Sequence, residues 1–289
     1  MTVLLARGEW EAQAAAHRAR ADALTAGHRA RAARGEPHPV EDFLFTYYSY
    51  KPAVLRRWHP GPGVDLAGAA ASERAAWRWY VPGADAGSLT VDAGAFRADR
   101  GALVAAIAGI LRGTAARPGQ FGCFGLHEWA MVYRQREHRH PVPLRLTQEA
   151  ADEVVESHDL RCTHFDAYRF FTDAAAPRNR RALSRDGQPR DEQPGCLHAG
   201  MDVYKWAIKL GPLVPGELLL DAFELARDIR YLDMQASPYD MRRWAGEPVR
   251  IETARGKAEY VRRQRGFAER SQRLRARLLS ACGLEAAAA

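Results

Sequence analysis

The sequence predicts a mainly α-helical protein, and three observations carry that expectation. Residues 197–210, 216–236 and 253–281 each combine helix-forming composition with uninterrupted length and no internal proline. Segments that read as extended are few and short: 142–146, around 160–165, and 248–252. No internal repeat marks a solenoid or array. The expected architecture is one compact helical core domain over residues 37–289, preceded by an exposed helical segment over residues 1–36.

Taken in order, residues 7–34 are rich in Ala and Arg with few large apolar side chains, which predicts a mostly exposed helix ended by Pro37-His38-Pro39. An aromatic stretch runs from Phe43 to Tyr50 and on to Trp58, and Pro60-Gly61-Pro62-Gly63 is a loop. Residues 92–112 carry Leu103, Ile107, Ile110 and Leu111 at core spacing on a helix. Gly119 to Gly125 is a tight turn before a short helix at Leu126–Arg134; Gly122-x-x-Gly125 has neither the P-loop nor the dinucleotide pattern. Residues 173–195 form a long polar loop. The short link Gly211-Pro212-Leu213-Val214-Pro215 forces the 197–210 and 216–236 helices into an antiparallel pair. The 253–281 helix, with alternating charge and little large apolar content, is placed on the surface.

At 289 residues, 47% hydrophobic and 27% charged, the chain can bury a sizeable core. A mean hydropathy of −0.40 and the lack of a long uncharged apolar run exclude a membrane span. Met1 to Arg7 is too short and too soon charged for a signal peptide, and four cysteines without secretory context read as reduced thiols in a cytoplasm. The net charge of +7 invites a polyanionic partner. However, the lysines are Lys51, Lys205, Lys209 and Lys257 alone; the rest is arginine, which a GC-rich genome also supplies together with alanine. No feature of the sequence sets an oligomeric state.

Three segments set a cysteine beside a histidine with a carboxylate close by: Cys123-x3-His127-Glu128, Cys162-x-His164-x-Asp166 and Cys196-x-His198-x3-Asp202. Thiol, imidazole and carboxylate carry most ligand and acid–base chemistry, so the middle of the chain is where chemistry is expected. None of the three matches a standard zinc spacing. If 160–165 is extended, Cys162, His164 and Asp166 share one face. His17, His28, His138 and His140 lie among arginines and are expected to be exposed.

On the 197–210 helix, His198, Asp202, Lys205 and Lys209 form one narrow polar stripe between apolar flanks. On the next helix Leu218, Ala222, Leu225, Ile229 and Leu232 share a core face, with Asp221, Glu224 and Asp228 along its edge. Those acids repel one another unless a metal or arginines from elsewhere sit among them.

Five segments, His38–Gly61, Gly122–Arg134, Cys162–Thr172, Gln193–Leu210 and Phe223–Asp240, resemble a group of actinobacterial proteins commonly called 3-methyladenine DNA glycosylases. The likeness covers most of the chain from residue 38. Neither a helix-hairpin-helix element nor HEAT-like helical pairs are present. Val154-Val155-Glu156 and Pro177-Arg178-Asn179 resemble the alkyladenine glycosylase pattern around its catalytic glutamate. The resemblance implies an N-glycosylase that releases alkylated purines from DNA without a cofactor. Glu156 or Asp166 is then the catalytic carboxylate, with Asp202 and Lys205 as further catalytic candidates. Tyr47, Tyr48, Trp58 and Tyr168 supply stacking surfaces, and Lys205 and Lys209 hold phosphate.

The residues also support a second account. His127, His164 and His198 supply nitrogen and Asp166, Asp202, Glu224 or Asp228 oxygen to a divalent metal, with an open position for water or oxygen and a small molecule as substrate. A helical protein with a structural site and no catalysis is the third. The resemblance makes the glycosylase the expected function.

Overall fold

The computed structural model describes residues 2–138 and 140–284. It is mainly helical, with one small sheet. Val3–Leu5 forms β1 and leads into α1 (Arg7–Ala33). Most of α1 is exposed, as expected, yet Trp10, Ala14, His17, Ala21 and Thr25 are buried at positions 0, 4, 7, 11 and 15 of a helical stripe. The segment therefore packs on the core. Its inward stripe is built from alanines and polar side chains, which is why hydrophobicity did not reveal it. His17, expected at the surface, is 4% exposed, with Nε2 2.7 Å from the Leu55 carbonyl oxygen.

Two single-turn helices, α2 (Phe43–Thr46) and α3 (Pro52–Leu55), carry the aromatic stretch. The sheet then adds β2 (Val64–Leu66), β3 (Tyr80–Pro82) and β4 (Leu89–Val91) in the order β1-β2-β4-β3, with β1 parallel to β2 and the other pairings antiparallel. Strands of three residues are too short to show alternation, so the sheet was not legible. Of the segments expected to be extended, 142–146 and 160–165 each supply one isolated bridge, Leu144 with Tyr239 and Leu160 with Asn179, and 248–252 is irregular, ending in a turn at Ile251 and Glu252.

Helix α4 (Ala93–Ala116) begins where the Asp92 carboxylate accepts the Ala95 N–H at 2.8 Å, and buries Val104, Ile107, Ile110 and Leu111. Four short helices follow: α5 (Leu126–Ala130), α6 (Gln148–Glu156), α7 (Phe165–Tyr168) and α8 (Gln188–Asp191). The centre is made by α9 (Leu197–Lys209) and α10 (Gly216–Ala236). They run antiparallel, as the short link demands. Tyr204 and Phe223 have ring centroids 5.3 Å apart, and a Cβ on Gly200 would lie 2.9 Å from Ile229 Cδ1. At Gly200 the end of the Ile229 side chain fills the space a Cβ would take. Leu218, Ala222, Leu225, Ile229 and Leu232 are all at most 2% exposed; each large one contributes about 1.5–3 kcal/mol by leaving water.

After α11 (Arg242–Ala245), α12 (Ala254–Ala281) packs against α9, α10 and α4. This corrects its expected surface placement. Tyr260, Gln264, Ser271, Leu274, Arg275 and Leu278 are buried, and the Arg275 guanidinium donates to the Ala199 carbonyl at 2.9 Å. Small and polar residues do the packing there, so the helix looked solvent-facing by composition. Among the described residues no helix is long and apolar enough to cross a membrane.

Candidate metal centre

The three cysteine–histidine segments converge. Gly125 adopts φ +74°, a left-handed turn that suits glycine, and launches α5, whose five residues are all buried. This places His127 and Glu128 inside. The extended segment before α7 is clamped by Asn179, whose side chain accepts the Cys162 N–H at 2.8 Å and donates to the Cys162 carbonyl at 3.1 Å. His164 ends that extended run at the N-terminus of α7. Helix α9 contributes His198 and Asp202, one turn apart, and α10 contributes Asp233. Ring centroids of His198 lie 4.4 Å from His127 and 5.3 Å from His164.

The side chains form two adjoining groups. His127, His198 and Asp233 each present a ligand atom within 4.8 Å of the others, and so do His164, Glu192 and Asp202. Since no two of the three ligand atoms in a group are more than 4.8 Å apart, some point lies no more than about 2.8 Å from all three, close to the ~2.1 Å bonds of a His/carboxylate site. His127 Nε2 is 3.0 Å from Asp233 Oδ1, but the two are angled away from hydrogen-bond geometry. Both are buried without a hydrogen-bond partner, as is His164 Nδ1. Buried polar atoms left this way are costly unless something joins them. His164 Nε2 lies 3.3 Å from both Glu192 Oε1 and Asp202 Oδ2.

A metal or protons can meet the charge balance of the cluster. Glu128, Glu192, Asp202 and Asp233 are four buried carboxylates, each at most 6% exposed. Arg230 reaches Asp233 at 3.0 Å and Glu128 at 3.4 Å, and Lys205 reaches Asp202 at 3.0 Å. A further buried cation, Arg275, donates to Ala199, Ser271 and Gln272 and, among the described residues, to no carboxylate. Directly paired, four negative charges face two positive ones. Without a metal, protons must supply the remainder. Burial alone would lower the His127 and His164 pKa values, but Asp233 overrides it at the first and Glu192 with Asp202 at the second, so both are raised. Burial, with Asp233 and Asp202 respectively nearby, pushes Glu128 and Glu192 up. His198 is driven down by burial and by His127, which leaves a neutral ring of the kind metals bind.

A cavity of about 10 Å³ touches His127 and His198 and is lined also by Cys123, Cys162 and Cys196. That is about the space one water or ion occupies. Burial raises the Cys162 and Cys196 thiols, the latter to about 12, so both stay neutral. Cys123, Arg161 and Gln193 also line an outer cleft of about 350 Å³ whose cations are Arg161 and Arg180.

The other expected site residues fall in different places. Asp166 begins α7 rather than continuing the extended face, and its carboxylate pairs with Lys205 at 3.2 Å and Arg185 at 2.8 Å, one residue removed from Asp202. Tyr48 is buried and donates its hydroxyl to Asp202 Oδ1 at 3.2 Å; Tyr47 stacks on Phe43 at 4.8 Å. Trp58 is 2% exposed and donates to Glu217, and Tyr168 packs on Phe171, so neither Tyr48 nor Trp58 offers a free face. Glu156 lies apart, accepting from the Tyr133 hydroxyl and Arg134. Lys209 sits at the exposed end of α9. Glu224 and Asp228 do not join the centre: Glu224 pairs with Arg20 at 2.8 Å and Asp228 with Arg270 at 2.6 Å. Arginines from elsewhere answer those acids.

Sequence reading missed Asp233 and Glu192. Asp233 carried a signal, since it lies four residues after Ile229 on the buried stripe of α10, where an acid needs a partner. Glu192, inside the polar loop, carried none. Comparison with protein-family models, with curated proteins and with solved structures gives no match.

Proposed function

We propose that this chain is a metal-dependent hydrolase acting on a small molecule, with a divalent transition metal held by His127, His198 and Asp233 beside a second cluster of His164, Glu192 and Asp202. The observation that carries the reading is the convergence, from five separate segments, of three imidazoles and four carboxylates, with His127 Nε2 and Asp233 Oδ1 buried, 3.0 Å apart and hydrogen-bonded to no other group. The donor set is nitrogen and oxygen, which suits zinc, iron or manganese. A bound ion would supply a water of lowered pKa and would polarise a substrate oxygen. Around it, Asp202 positions His164, while Lys205 and Arg230 offset the carboxylate charge. Glu128, whose carboxyl is pushed up beside the cluster, is the residue placed to carry a proton. The outer cleft carries two cations, Arg161 and Arg180, against the single carboxylate of Asp159 at 2.9 and 3.9 Å, a net positive charge that favours an anionic substrate.

The glycosylase expected from the resemblance has less support. Glu156 borders an open cleft lined by Ser157, His158, Asp159 and Arg178 and, among the described residues, by no Phe, Tyr or Trp ring on which a base could stack. The deciding experiment assays metal-replete protein for hydrolysis of p-nitrophenyl phosphate and for release of 3-methyladenine from methylated DNA, each with and without chelator. Chelator-sensitive hydrolysis that is lost in Asp233→Asn supports the proposal. Release of the base that survives chelation overturns it in favour of the glycosylase.

A further inference from the structure

About 16 Å along α9 from His198, at the ~1.5 Å rise of a helix, Lys209 borders a second and larger cavity of about 720 Å³. It lies within the roughly 300–1,000 Å³ range of small-ligand sites. Its walls are Tyr50, Trp77, Trp79, Tyr80 and Phe96, brought together by the sheet, α4 and the end of α9. Trp77 meets Tyr80 edge-on at 5.5 Å and Trp79 meets Phe96 edge-on at 5.2 Å. Trp77 and Trp79 keep part of their surface exposed.

The electrostatics of this cavity have one sign. Arg57, Arg78, Arg100 and Lys209 line it, and no carboxylate does among the described residues. Asp99 pairs with Arg78 at 3.2 Å and Arg100 at 2.9 Å. Arg57 and Lys209 have no carboxylate partner among the described residues. Behind the wall, Arg74 is 3% exposed, 4.6 Å from the Trp77 ring centroid and 5.2 Å from that of Trp58; it donates to the Trp58 carbonyl and pairs with no carboxylate among the described residues. Burial beside Arg74 pushes His59 down to about 3, so this lining imidazole is neutral. Helix α4 loses helical geometry at Arg100, on the cavity wall (φ −117°, ψ 16°). Aromatic faces stack planar rings without regard to sequence, and unpaired cations bind phosphate by charge-assisted hydrogen bonds.

We propose that this cavity binds a planar aromatic ring carrying a phosphate, a ligand of the nucleoside monophosphate type. It is independent of the metal centre, and the experiment keeps the two apart by working in chelator. Isothermal titration calorimetry of the full chain with AMP, adenosine and inorganic phosphate should give saturable AMP binding, with each half-ligand at least about tenfold weaker. The double variant Arg57→Ala, Lys209→Ala alters two exposed side chains, so the fold should persist. It should weaken AMP by about tenfold or more while leaving adenosine unchanged. Trp77→Ala should weaken both AMP and adenosine. Absence of saturable AMP binding up to about 10 mM, AMP binding undiminished in the double variant, or adenosine binding equal to AMP would each overturn the proposal. So would a single-stranded oligonucleotide that binds more tightly than AMP with a steep salt dependence, which would assign the surface to nucleic acid.

Discussion

Replacing Asp233 by Asn removes a negative charge from a place without solvent. The carboxylate is fully buried, 3.0 Å from Arg230 Nη1 and 3.0 Å from His127 Nε2. Arg230, 6% exposed, would keep only the longer 3.4 Å contact with Glu128. Breaking a buried pair costs about 3–5 kcal/mol, and because Asn preserves shape and one acceptor, the lower end, about 3 kcal/mol, is expected. Glu224→Gln is the matched control on the same helix. Its pair with Arg20 leaves the side chains 28% and 36% exposed, so its loss costs no more than about 1 kcal/mol. Metal adds a second difference. Zinc at about 100 times its Kd raises wild-type stability by about 2.7 kcal/mol, and Glu224→Gln should gain the same while Asp233→Asn gains almost nothing. Urea unfolding followed by circular dichroism, in zinc and in chelator, measures all of these values. Equal costs for the two variants, or an undiminished zinc gain in Asp233→Asn, would refute the reasoning.

Other outcomes follow from the same geometry. Gly256→Ala drives a methyl into the backbone carbonyl of Arg250, which no side-chain rotation can relieve, and should cost about 1–3 kcal/mol in urea unfolding. Zinc affinity, read by indicator competition, should rise with pH above about 6.5, because the raised pKa of His127 means that a proton occupies this donor until the pH exceeds it; a flat profile would count against this ligand. Glu156→Gln should leave zinc content and melting temperature unchanged, whereas Asp202→Asn should lower both, since Asp202 accepts from Tyr48 and Lys205 and lies beside His164.

The helical class, the α9–α10 pair and the meeting of His127, His164 and His198 were legible because they rest on periodicity, a short link and residue chemistry. The sheet was not, since strands such as Leu89–Val91 are shorter than any readable alternation. Burial of α1 and α12 escaped notice because Ala14, Ala21, Ser271 and Arg275 form the contacts, and composition gives such residues to the surface. The acids of α10 separated by a few residues: Glu224 and Asp228 turn to arginines, whereas Asp233 turns inward, and a helical wheel alone does not say which edge meets α9.

The central claim is that the buried histidine–carboxylate cluster holds a metal. Inductively coupled plasma mass spectrometry on wild-type protein, incubated with zinc, manganese or iron and then gel-filtered, tests it most directly. About one equivalent or more of a divalent metal should remain bound, and the content should fall to a small fraction in folded His198→Ala and Asp233→Asn. Folded wild type that retains no metal after exposure to all three ions would contradict the account and leave the cluster a buried polar network.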